Sequence, residues 1–280
     1  MPRWILLSFW AFETDFGAFQ GDYNTLNALM TLSHDCRRPQ LFYPQVFAAL
    51  ELYSRGDFPT STTGAWAGEI GQVQMLPKDI LERGIDGDGD GHVRLRTSVP
   101  DALFSGANML RSFGWRAGEP WMQEIVVPSN LPWEEIGMDV SKPVREWARL
   151  GVKPRSGAFE GPTLRGSILM PMGHKGPAFI AYPNYNAFFE WNQSFVYVAT
   201  AAYFATRLAG APVFDPRNPD PVLSDSQMKS LQQKLAARGH NVGKIDGILG
   251  AGTRNAVQAE QKRLGLPADG WPTRELLKRL

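Results

Sequence analysis

A chain of 280 residues is long enough for one large domain or two, and at 43% hydrophobic and 20% charged residues it has the composition of an ordinary globular protein. A formal net charge of +1 points to neither nucleic acid nor an anionic membrane surface as partner, and a single cysteine, Cys36, excludes intrachain disulfides and cysteine-based zinc sites. The four histidines, His34, His92, His174 and His240, form no metal-binding pattern, and no apolar run is long enough to span a bilayer.

The first predicted element runs from Trp4 to a stop at Gly17. Ile5, Phe9, Phe12 and Phe16 share one helical stripe, while Trp4, Leu7 and Trp10 occupy the other sides, the pattern of a buried helix. Its opening mimics a signal peptide but lacks a small-residue cleavage site. Glu13 is the acid in this run. Burial raises a carboxyl's pKa and keeps its proton near neutrality, the state a general acid needs. The competing reading is a glutamate at the edge of the stripe that reaches solvent or pairs with Arg37 or Arg38.

Further helices are predicted over residues 24–35 and 44–56, the second ended by Gly56. In GAWAGEIGQVQMLP, residues 64–77, Gly64, Gly68 and Gly71 permit tight turns and close backbone approach. Trp66 offers a flat face to a sugar ring, and Gln72 and Gln74 bring amide donors and acceptors. The stretch lacks phosphate-loop spacing, and a packed turn before a helix starting near Pro77 explains it as well as a binding site does. DGDGDGHVRLRT, residues 86–97, puts Asp86, Asp88 and Asp90 at positions 1, 3 and 5 of a calcium loop, Gly91 at 6 and the His92 carbonyl at 7. Position 12 is Thr97 rather than a bidentate Glu, so Asp101 is the acid expected to complete the shell. A metal-free acidic turn is the alternative.

Residues 99–115 predict a helix with Ala102, Ser105, Gly106 and Met109 on a close-packing face. GSILMPM and PAFIAYP, flanking Gly-His-Lys-Gly, predict a small β-hairpin. EWNQSFVY, residues 190–197, sets Trp191, Asn192 and Tyr197 at the start of a helix that closes at Gly210; a ligand site and a capped helix start with core aromatics both fit. Pro212, Pro216, Pro219 and Pro221 predict an extended linker. The tail reads as three short helices. Met228, Leu231 and Leu235 share the first face, Ala256, Val257 and Leu264 the second, and Leu276, Leu277 and Leu280 the third. So small a module suits binding better than a deep catalytic cleft.

In order, FETDFG, GAWAGEIGQVQMLP, DGDGDG, SVPDALFSGANMLRSFGWRAGEPW and EWNQSFVYVATAAYFATRLAG resemble the lytic murein transglycosylases of the membrane-bound lytic transglycosylase B type, glycoside hydrolase family 103. In the tail, LQQKL, RGH, KIDGILGAGTRNAV, QKRLGL and DGWPT resemble the common three-helix peptidoglycan-binding domain. The resemblance implies a mainly α protein. A lysozyme-like α+β catalytic domain with a small β-hairpin would fill residues 1–211, a Pro-rich linker 212–224 and the peptidoglycan-binding domain 225–280. It implies that Glu13 is general acid and base in cleaving the MurNAc–GlcNAc β-1,4 bond, with a 1,6-anhydro-MurNAc product. It also implies substrate contacts at Gln74, Asn192 and Tyr197, with Trp191 where some members carry a tyrosine; Trp66 joins them as a stacking candidate. The serine that supports the family's acid falls at Ala65, so Glu13 must be held otherwise.

The same resemblance implies no required cofactor and a structural Ca2+ on Asp86, Asp88, Asp90, His92 and Asp101. The expected partner is the peptidoglycan glycan strand, without nucleic acid or a transmembrane segment, and the expected state a periplasmic monomer whose export signal is absent from this sequence. Family members carry a signal and further helices ahead of the catalytic helix; this chain begins almost on it, which implies a misplaced start, a fragment or a truncated homologue. Two alternatives stay open: a lysozyme-like hydrolase with Asp15 or Glu69 activating water, and a non-catalytic wall-binding protein.

Overall fold

The computed structural model describes residues 1–280, which divide into two compact units, 1–117 and 118–280. The first is helical. Helix α1 (Arg3–Thr14) buries Ile5, Ser8, Phe9 and Thr14. A two-residue strand β1 (Tyr23–Asn24) leads into α2 (Thr25–His34), whose start is capped by the Asn24 side chain accepting from the Asn27 amide. Helix α3 (Pro39–Ser54) follows, then β2 (Thr63–Gly64), α4 (Pro77–Arg83) and α5 (Val99–Ser112). Helix α3 packs on α2 and α4, and α5 on α4 and α1. Each fully buried aliphatic or aromatic side chain here, such as Ile5, Phe9, Leu29 and Leu110, contributes about 1.5–3 kcal/mol.

Two boundaries differ from the sequence expectation. Helix α3 begins five residues earlier, at Pro39, and carries Pro44 inside it. Proline is pre-organised at the first helical position; at Pro44 it forfeits one backbone bond, and the buried Phe42, Gln45, Ala48, Ala49 and Leu52 hold the helix together. Helix α1 ends at Thr14 rather than near Gly17. Asp15, Phe16 and Gly17 take φ values of 49°, 57° and 90°, a run of left-handed residues that turns the chain out of the helix.

The second unit is built on an antiparallel sheet. Its elements are β3 (Met122–Val126), a 3-10 turn (Trp133–Glu135), β4 (Lys142–Pro143), α6 (Val144–Arg149), β5 (Lys153–Pro154), β6 (Arg165–Leu169) and β7 (Ala178–Ala181). The strand order is β4-β6-β7-β3-β5. The expected hairpin is thus β6–β7, in register Ile168 with Ile180, at the centre of a five-stranded sheet. The edge strands of the sheet, β4 and β5, are two residues long and contain Pro143 and Pro154, too short to show a period. Trp147 of α6 is fully buried against this sheet and donates from Nε1 to the Gly166 carbonyl, 2.8 Å.

Helices α7 (Tyr185–Trp191) and α8 (Phe195–Leu208) complete this part, and α9 (Asp225–Ala237), α10 (Ala251–Arg263) and α11 (Arg274–Arg279) form the tail around Met228, Leu231, Leu235, Val257 and Leu276. Residues 211–224 have no regular structure, but they are strapped down. The Asp215 amide donates to Glu124 Oε1 at 2.8 Å, the Asn218 amide to the Lys175 carbonyl at 3.1 Å, and Lys175 Nζ reaches Asp220 at 2.9 Å. The tail module is bonded to the β6–β7 turn as well. Asp269 Oδ2 accepts the His174 amide at 2.9 Å and meets His174 Nδ1 at 2.5 Å. No helix of the protein is long and apolar enough to cross a membrane.

Candidate functional site

Glu13 lies in the last turn of α1, half-buried, two residues before the left-handed turn begins at Asp15. That turn is clamped by its neighbour. Thr14 is buried, its hydroxyl donates to the Gln72 carbonyl at 2.7 Å, and it accepts the Gly17 amide at 2.9 Å. Gln72 answers from the other side: its Oε1 accepts Trp10 Nε1 at 3.0 Å, and its amide donates to the Leu95 carbonyl. The Gly-rich stretch is therefore stapled to the end of the helix that carries the acid. Sequence reading noted Gln72 only as an amide and passed over Thr14, whose one signal was its place beside Glu13.

The glycines of this stretch answer to close approach. A Cβ on Gly64 would stand 2.1 Å from the Glu69 carbonyl oxygen, and one on Gly71, at φ +80°, 2.4 Å from Leu95 Cβ. Between them Trp66 is left 65% exposed, an unobstructed aromatic face. Gln74 sits at φ 53°, and its Nε2 donates to the Gly71 carbonyl at 2.9 Å, which fixes the amide while leaving its oxygen without a protein donor. Glu69, on the same stretch, is half-buried with no side chain paired to its carboxyl. Burial pushes its pKa above the usual glutamate value.

The second unit brings Trp191, Asn192 and Tyr197 into one helix junction. Trp191 ends α7, Asn192 caps it, and Tyr197 lies in the first turn of α8. Asn192 Oδ1 accepts the Ser194 amide at 2.9 Å, and Ser194 Oγ accepts the Tyr197 amide at 3.4 Å. Trp191, Asn192 and Tyr197 are each half-buried.

In the acidic loop, carboxylate oxygens of Asp86, Asp88 and Asp90 lie within 4.8 Å of one another. The loop already has calcium-loop shape. Asp86 accepts the Gly89 and Gly91 amides at 2.6 and 2.9 Å, and Gly91 takes φ +88° where the sixth position turns sharply. Those amides also hold the Asp86 carboxyl below its usual pKa. Asp101 is not brought to the cluster. It is fully buried, and its two oxygens accept the Gly87 and Arg94 amides at 2.9 and 2.7 Å, so it staples the loop from beneath. The His92 ring turns away to Asp57 at 2.8 Å, which leaves only its carbonyl for the seventh position. Three hard carboxylate donors on a preformed loop fit Ca2+, in a site that lacks the bidentate acid of a tight binder.

Comparison with known proteins places this chain among relatives. Residues 1–206 match the family model of the transglycosylase SLT domain, and residues 224–280 match that of a peptidoglycan binding domain. The membrane-bound lytic murein transglycosylase B of Escherichia coli (strain K12) is 28% identical over 159 residues, 55% of this chain; the match spans 43% of that relative's length. Among solved structures, SltB3 from Pseudomonas aeruginosa in complex with NAG-anhNAM-pentapeptide is 38% identical, covers 99% of this chain and 75% of its own, and superposes with a TM-score of 0.87. The Escherichia coli lytic transglycosylase Slt35 in complex with calcium is 25% identical over 75% of this chain and 66% of its own, with a TM-score of 0.65. With its lysozyme-like fold and helical tail module, this chain belongs to the SLT transglycosylase domain family.

Proposed function

We propose that this protein is a periplasmic lytic transglycosylase that cleaves the MurNAc–GlcNAc β-1,4 bond of peptidoglycan with Glu13 as its acid and base. The observation that carries the reading is the setting of Glu13, on the last turn of a largely apolar helix whose exit is clamped by Thr14 and Gln72. A half-buried carboxyl on a helix end whose backbone is clamped is placed to deliver a proton along one direction. In the proposed reaction, protonated Glu13 gives its proton to the glycosidic oxygen, and the C1–O bond breaks with oxocarbenium-like charge at C1. The MurNAc C6 hydroxyl then attacks C1 and yields its proton to the Glu13 carboxylate. A 1,6-anhydro ring closes, no water is consumed, and Glu13 regains its starting state. One carboxyl serves where a hydrolase needs two. The two complexes of SltB3, with NAG-anhNAM-pentapeptide and with NAG-NAM-pentapeptide, support this product and a peptide-bearing glycan as substrate.

Gln74 and Trp66 are the proposed glycan contacts of the first unit; Trp191, Asn192 and Tyr197 are proposed separately as contacts of the second. Asp86, Asp88, Asp90 and the His92 carbonyl would hold a Ca2+ that stiffens the loop and takes no part in the chemistry.

Digestion of purified sacculi by wild type and Glu13→Gln, with mass spectrometry of the products, tests the assignment. Wild type should release anhydro-muropeptides, and the variant should lose about 10²–10⁴-fold in rate while melting normally. Reducing-end products from wild type, or full activity in the variant, would overturn it.

A further inference from the structure

Within the second unit, a cleft of about 550 Å3 separates the first turn of α10 in the tail module from α7 and the β6 end of the sheet. That volume suits a bound small molecule or a few residues of peptide (such sites span roughly 300–1,000 Å3). Its lining carries amide side chains and both signs of charge.

The cationic lining residue is Arg254. Its guanidinium is largely buried, packed over the rings of Phe195 at 4.6 Å and Trp271 at 5.8 Å. A guanidinium carries five N–H donors, yet this one makes a single hydrogen bond, from Nη2 to the Pro171 carbonyl at 2.9 Å, and its buried Nε has no partner. The nearby carboxylate cannot supply one. Asp269 Oδ1 is taken by Gln261 Nε2 and the Trp271 amide, and Oδ2 by His174. Burial without an acceptor also depresses the Arg254 pKa to about 10, an unusual state for arginine. A buried, under-satisfied guanidinium is a receptor for a planar carboxylate.

Asp139 and Glu190 line the same cleft, exposed and with no cation bonded to either. Amides line it as well. Gln258 donates from Nε2 to the Ala268 carbonyl at 3.0 Å and keeps its oxygen, and Asn186 and Asn255 face solvent. A carboxylate receptor, acids for an ammonium and backbone-like amides in one cleft describe a site for a short zwitterionic peptide. Glu190 and Gln193, both in the lining, bracket Trp191 and Asn192, the proposed glycan contacts.

We propose that this cleft binds the peptide stem of the glycan strand, with Arg254 holding a stem carboxylate and Asp139 and Glu190 facing its free ammonium. This rests on the peptidoglycan reading above and extends it: the tail module forms one wall of a specificity site. The module is bonded to the β6–β7 turn through Asp269, and stem binding there would contribute affinity remote from the reacting bond.

The test is direct binding, by calorimetry on the full chain, of the free pentapeptide stem and of the same peptide with its carboxyls converted to amides. Wild type should bind the acid at least about tenfold more tightly than the amide, a gap of about 1.4 kcal/mol. Arg254→Gln should erase that difference. Asn255→Trp, at an exposed position that does not support the fold, should fill the cleft and abolish binding of both. As a second readout, the preference for peptide-bearing over amidase-stripped glycan should fall about tenfold in Arg254→Gln. Equal affinity of acid and amide, no detectable binding of the acid, or wild-type binding by Asn255→Trp would overturn the proposal. Because peptide binding is read without turnover, a failure of the transglycosylase reading leaves these outcomes separately legible.

Discussion

At the scale of single residues, acids of one chemical type are given different duties by their surroundings. Glu13 is half-buried at a clamped helix end, Asp101 is fully buried and spent on two backbone amides, and Asp86 is exposed and held charged by amides. Glu69 is the one placed against its own interest. Its folded pKa lies above the ordinary 4.5, because burial disfavours the charged carboxylate. The native state therefore binds protons more tightly there than the unfolded chain does, and stability is lost as pH rises from about 4.5 through the folded pKa. Glu69→Gln should match wild type in Tm at pH 4 and exceed it at pH 7 to 8. Thermal melts across that range read the difference, and a variant less stable at neutral pH would show that the carboxylate has a compensating partner.

At the scale of elements, the sequence marked which segments matter more reliably than how they end. The stripe of Ile5, Phe9 and Phe12 announced α1, but Phe16 continued the stripe in sequence while the chain had already left the helix. Periodicity cannot register a left-handed turn at Asp15 and Phe16, because those residues adopt it only under the grip of Thr14 and Gln72 on a segment 58 residues away. The acidic loop shows the same division. Its 1-3-5 spacing was plain, whereas the withdrawal of Asp101 into the core depends on where α5 packs. Ca2+ at about 10 mM should raise Tm by about 2–4 °C for each kcal/mol of binding, chelation should reverse the shift, and Asp86→Asn should remove it. Differential scanning fluorimetry decides, and an unmoved Tm would mean a metal-free acidic turn.

At the scale of the whole molecule, the proline-rich stretch that reads as a spacer is bonded along its length, through Asp215, Asn218 and Asp220. Trp271 Nε1 adds a bond to the Asp220 carbonyl at 3.1 Å. The junction turns on Asp269, which is buried and accepts four hydrogen bonds. Asp269→Ala should cost on the order of 3 kcal/mol and free the module. Limited proteolysis should then cut within residues 212–224 much faster than in wild type, and unchanged protection would mean the strap holds without the latch.

The amino-acid sequence alone determined the identity of the family, the calcium-loop spacing and the helical tail, and it supplied Glu13 as the proposed acid, because each is carried by residue types at fixed local offsets. The five-stranded sheet around the β6–β7 hairpin, the clamp of Thr14 on Gln72 and the cleft that leaves Arg254 short of acceptors were decided only by tertiary structure. Each depends on groups far apart in the chain meeting at hydrogen-bond distance, and no local pattern encodes which polar group will be left without a partner once the core has closed.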